Sequence, residues 1–177
     1  MSKLAKIVVV LIFAGIFFIA YSYWKSSYTS NLVNTHIYQA DMSRYVHRGV
    51  LDFDTEGKEI SFNDRIASVD NRFFNGEKKE ALALYILLLK EDPGNMSILL
   101  RLGIIYLQEE DYTLAQDNLN TVYGYKESVY ALDAAWFLAL MNYQNNNIPT
   151  VKTLLTEIIK GRGNYFMEAE ELLEILT

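Results

Sequence analysis

The side chains that could do chemistry are few, and their spacing argues against each in turn. His36 and His47 carry imidazoles able to ligate a metal or relay a proton, yet neither lies in a His-Glu-x-x-His or comparable ligand spacing. Asp52 and Asp54 form an Asp-x-Asp pair of the kind that opens a calcium loop, but the bidentate Glu that closes such a loop is missing. Glu168, Glu170, Glu171 and Glu174 form a carboxylate cluster on the polar side of the last amphipathic stretch, where a solvated helix face is the default. Without cysteine there is no thiolate metal site, catalytic thiol, disulfide or lipid-modified cysteine. Asn95-Met96-Ser97 is a formal glycosylation sequon, and the glycines make no phosphate-cradling loop. The chain therefore reads as a non-enzyme with no cofactor and no metal, and what it does must come from its surfaces.

Those surfaces are set by composition. Of the 177 residues 51% are apolar and 14% aromatic, enough to build a core and to exclude general disorder. All 22 acidic residues follow position 40, against 13 basic residues after position 25, so the body carries a net of about nine negative charges. Such a balance argues against nucleic acid as a partner. Residues 1–25 are a segment apart. Lys3 and Lys6 precede eighteen uncharged residues, 7–24, and Lys25 comes directly after them. As a helix this run spans roughly 27 Å, close to a bilayer's hydrocarbon thickness. Tyr21, Tyr23 and Trp24 sit at its far end, where aromatics favour the membrane interface. A cleaved signal peptide is the competing reading, but no small-x-small site succeeds the apolar run. The expectation is a single-pass anchor with its N-terminus in the cytoplasm by the positive-inside rule. The rest would then be exported, into the periplasm if the cell is a Gram-negative bacterium. Residues 26–61 show no clean helical period and read either as a juxtamembrane linker or as a segment partly packed against the first repeat.

From residue 62 the pattern is helical and repeats. Residues 99–119 read Leu99-x-x-Leu102-Gly103-x-x-Tyr106, then Ala115-x-x-x-Leu119, with Glu109-Glu110-Asp111 as a polar turn between two helices. Gly103 and Ala115 are small where two helices would cross. Counting back 34 residues gives Ala81 with Tyr85, a turn at Asn75-Gly76-Glu77 and a stop at Pro93. Counting forward 36 gives Ala139 and Val151, with Leu155 four residues later and Pro149 at the first turn of a helix. Residues 165–176 form a last amphipathic helix through Phe166, Ala169, Leu172, Leu173 and Leu176, with Asn164 as its N-cap.

These matched residues resemble the tetratricopeptide (TPR) repeat family across residues 62–163, and the single N-terminal span is similar to bacterial membrane-anchored TPR proteins. The resemblance implies an all-α fold: a TPR-like α-solenoid of about three helical hairpins, 62–95, 96–131 and 132–163, with a capping helix over 164–177 and a transmembrane helix ahead of them. It also implies a concave groove lined by the first helix of each hairpin. Placed on this chain, the groove positions include Ile66, Phe73, Leu100, Ile104, Leu107, Trp136, Leu140 and Tyr143, with Arg101 one place off as the nearby cation. A peptide-carboxylate clamp of the chaperone-binding kind is not expected, because Ile66 and Asp70 stand where that clamp has Lys and Asn. The groove expected here is apolar and aromatic, open to a protein or peptide, or filled by residues 26–61 or by a second copy in a homodimer. The functional expectation is a membrane-tethered scaffold or adaptor; the alternative is a chaperone-like accessory to a translocon or assembly machine.

Overall fold

The computed structural model describes the backbone of residues 3–40 and 61–177, and the side chains of 11–40 and 61–177. Among these the chain is all-helical: α1 (Lys3–Tyr38), α2 (Phe62–Phe74), α3 (Lys78–Glu91), α4 (Met96–Gln108), α5 (Tyr112–Gly124), α6 (Ala131–Gln144), α7 (Ile148–Gly161) and α8 (Phe166–Leu176). α2 pairs with α3, α4 with α5 and α6 with α7. Each hairpin packs on the next, and α8 closes against α7.

The turns inside the three hairpins share one geometry. Gly76 (φ 87°), Glu110 (φ 62°) and Asn146 (φ 57°) each take the left-handed conformation, at spacings of 34 and 36 residues. In each, that residue's N–H donates to a carbonyl three back: Phe73 at 3.1 Å, Leu107 at 3.2 Å and Tyr143 at 2.9 Å. The next N–H reaches five back, to Arg72 at 3.0 Å, Tyr106 at 2.9 Å and Asn142 at 2.9 Å. This paired pattern satisfies the last carbonyls of a helix, and glycine or asparagine enters it at low cost. Glu110 has neither advantage. The repeat seen in the residue types is thus also a repeat of the backbone.

Helix starts obey the capping chemistry in the sequence. Ser61 accepts from the Asp64 N–H at 3.2 Å, Asn95 from Ile98 at 3.1 Å and Asp111 from Leu114 at 3.2 Å. Asn164 does not cap α8. Tyr165 takes the N-cap place, and the Asn164 amide instead donates to both carboxylate oxygens of buried Asp133, at 3.1 Å each. The close approach inside the second hairpin also differs from expectation. A Cβ on Gly103 would lie 2.7 Å from Leu119 Cγ and 2.8 Å from its Cδ2, so the glycine makes room for Leu119 rather than for Ala115. At the end of α7, Arg162 is left-handed (φ 50°). Gly161 and Gly163 on either side of it press on Leu132, where added Cβ atoms would fall 2.6 and 2.8 Å away.

α1 does not end at Lys25 but continues unbroken to Tyr38. Every residue from Leu11 to Trp24 is exposed, Phe17, Phe18 and Ile19 by about 70% each. Beyond them Thr29, Val33 and Ile37 are buried to 2% exposure or less. Among the described residues no helix is long and apolar enough to cross a membrane. The apolar run of the sequence begins at Ile7, ahead of the first described side chain.

Candidate binding groove

The half of α1 that is buried lies against α4, α6 and α8. Thr29, Val33 and Ile37 recur every fourth residue, which places all three on one helix face. That face turns inward. The contact is fastened along its length by polar groups at its edges. Tyr28 donates to Glu171 at 3.1 Å, the Gln144 amide to Asn34 at 3.4 Å, the Gln108 amide to the Ile37 carbonyl at 3.1 Å, and Tyr38 to Glu110 at 2.8 Å. The His36 ring stands edge-on to Trp136, with centroids 5.2 Å apart, and Trp136 stacks on Tyr165 at 5.3 Å. Residues 26–38 are therefore a packed helix, the second of the two alternatives for this segment, seated chiefly on α4, α6 and α8 and not on the first repeat. Their period is obscured in the sequence because Thr29 is polar and Tyr28 and Tyr38 lie off the buried face, whereas Leu32 packs at its edge.

Of the alternatives for the groove, this arrangement is the one in which part of residues 26–61 covers it. Leu100, Ile104, Trp136 and Leu140 are fully enclosed and Leu107 is 1% exposed, on the two helices that α1 covers. Tyr143 is half-buried at the end of α6. Ile66 and Phe73 are buried too, but on α2, outside the principal seat of α1. The structure thus brings the α4 and α6 positions together and leaves the α2 pair apart. Beside α1 an open cleft of about 640 Å³ remains, bordered by Ser22, Lys25, Tyr112, Tyr143 and Gln144.

Arg101 is no groove cation. Its Nε and Nη2 donate to the two carboxylate oxygens of Asp70 at 2.7 and 2.9 Å, and Nη1 donates to the Ser97 carbonyl at 3.0 Å and to its hydroxyl. Tyr85 also donates to Asp70. The pair is 1% and 2% exposed and ties α2, α3 and α4 into one unit. Burial pushes the Tyr85 phenol well above its ordinary range, and the Asp70 carboxylate adds to that shift. The Arg101 guanidinium loses solvation by burial, but its hydrogen bonds and charge contact with Asp70 outweigh the loss and raise its affinity for the proton. A small recess of about 150 Å³ borders the pair, lined by Asn63, Ser97 and Tyr130 among others. Sequence reasoning missed Asp70 as Arg101's partner. The 31-residue separation, close to the repeat length, was the only signal available.

Among the described residues no three metal-ligating side chains come together. Glu168 is half-buried, and Glu170, Glu171 and Glu174 are exposed on α8, with Glu171 engaged by Tyr28. His47, Asp52 and Asp54 lie outside the described residues, as do positions 41–60 of the expected linker. Comparison with family models, with curated proteins and with solved structures finds no match for this chain.

Proposed function

We propose that this protein is a membrane-tethered scaffold of the TPR type, which binds another polypeptide and carries out no chemistry of its own. The observation that carries the reading is the division within α1. One unbroken helix is exposed and apolar on every side over Leu11–Trp24, then buries one narrow face over 29–37. A helix apolar all round belongs in a core or a bilayer, and this half has no protein core around it. Together with Ile7–Val10 it makes up the eighteen-residue run that matches a bilayer's hydrocarbon thickness. The three equivalent turns at 34- and 36-residue spacing support a short array of stacked hairpins, the architecture in which TPR proteins present binding surfaces. In this reading the body is exported, with the exposed half of α1 in the membrane and its buried half seated on the array.

Fractionation tests the placement. The full chain should stay with membranes through alkaline carbonate, and a variant lacking residues 1–24 should be released. Recovery of the full chain in the soluble fraction, or a mature N-terminus near Tyr21, would refute the anchor. Export predicts that residues 62–177 are protease-sensitive while the plasma membrane is still intact, once any outer membrane has been opened.

A further inference from the structure

We propose that residues 29–37 of α1 are a resident ligand of the seat formed by α4, α6 and α8, and that the seat accepts in their place an amphipathic helix from another polypeptide. Three observations support exchange over a permanent core contact. The fully buried residues of α1, Thr29, Val33 and Ile37, and the part-buried Leu32 and Ala40 packed beside them include no aromatic anchor. The contact also leaves polar groups unanswered: Gln108 Oε1 and Trp136 Nε1, both beside α1, are buried without a hydrogen-bond partner. Buried polar atoms left unpaired weaken whatever contact buries them. Finally, the open cleft of about 640 Å³ beside α1 gives an incoming helix a place to begin pairing before α1 has left.

These features specify the partner's chemistry. It is a helix with small or β-branched apolar residues at every fourth position, carrying an acceptor opposite Trp136 Nε1 and a donor opposite Gln108 Oε1. A helix so equipped satisfies what α1 leaves unsatisfied and displaces it. The reading deepens the polypeptide-binding role proposed above but does not rest on the membrane placement. A failed fractionation leaves helix uptake unaffected, and failed uptake leaves fractionation unaffected.

The chain has two tryptophans, so Trp24→Phe makes Trp136 the sole reporter in the full-length protein. In detergent, Trp136 of this parent should resist iodide quenching. Adding Val33→Asp with Ile37→Asp should raise quenching severalfold, and a synthetic peptide of residues 26–40 should restore shielding saturably. The same peptide with both Asp substitutions should bind at least tenfold more weakly. The proposal is overturned if Trp136 stays shielded in the Asp variant, or if the native peptide fails to restore shielding while the helical circular-dichroism signal matches the parent. Where the Asp pair lowers that signal, Val33→Ala with Ile37→Ala is read in the same way. Loss of helical signal in both pairs would make α1 an inseparable part of the core and would equally overturn exchange.

Discussion

Replacing Asp70 by alanine is the sharpest test of how the first two hairpins are joined. The substitution takes from the Arg101 guanidinium, 1% exposed, the carboxylate that both its Nε and Nη2 donate to and the opposite charge it is paired with. It also removes the acceptor of the buried Tyr85 hydroxyl. Removing one partner of a buried ion pair costs about 3–5 kcal/mol, because the remaining charge stays desolvated. In a domain of this size 1 kcal/mol moves the melting midpoint by about 2–4 °C, so the fall should be roughly 6–20 °C. Replacing both partners, Asp70→Leu with Arg101→Met, removes the orphaned charge as well and should cost much less than the single change. Urea unfolding of the full chain in detergent, monitored by far-ultraviolet circular dichroism, measures Asp70→Ala, the double variant and its two component single variants. A loss below about 1 kcal/mol for Asp70→Ala would refute the desolvation argument. Strict additivity of Asp70→Leu and Arg101→Met would refute the coupling between the two residues.

Other expectations are independent of that pair. Tyr85 has an ordinary phenol pKa of 10.0 when unfolded and a higher one when folded, so its contribution is fully present below pH 10 and declines as pH rises above it. Comparing Tyr85→Phe with the parent across that range should show the parent losing its advantage on the alkaline side. Gly103→Ala forces Leu119 to move from its enclosed position and should destabilise by about 1–3 kcal/mol. Gly124→Ala, with nothing within 4 Å, should be neutral or slightly stabilising in the same melts. Glu110→Gly relieves a left-handed non-glycine residue and should gain up to about 1 kcal/mol. A loss would mean that the Tyr38 hydrogen bond outweighs the strain. Trp136→Ala empties a fully enclosed site stacked on Tyr165 and should cost about 3–5 kcal/mol. Unchanged stability would show that the groove is open in solution.

Much of the architecture was legible because repeated hairpins are written locally. Glycine, glutamate and asparagine at 76, 110 and 146 fall in the same turn, and the caps at Ser61, Asn95 and Asp111 each act within three residues. Such features depend on neighbours a few positions away, so spacing alone reveals them. The apolar run over 7–24 is legible for the same reason. Long-range choices were not. Leu100, Ile104 and Trp136 are apolar at positions the repeat register places on a first-helix face, and nothing in their own spacing says whether that face is bare or covered. The cover is α1, nearly sixty residues away along the chain from α4, through a stripe of Thr29, Val33 and Ile37, edged by Leu32, that does not stand out against its polar neighbours. Arg101 likewise has the look of a groove cation in the sequence, whereas Asp70, one hairpin back, holds both its Nε and Nη2. By itself the sequence determined the helices from residue 62 onward, their turns and their spacing, but not the continuation of α1 to Tyr38. Only the tertiary structure decided which apolar face is buried and which charge is paired, because both depend on desolvation by residues brought near through folding.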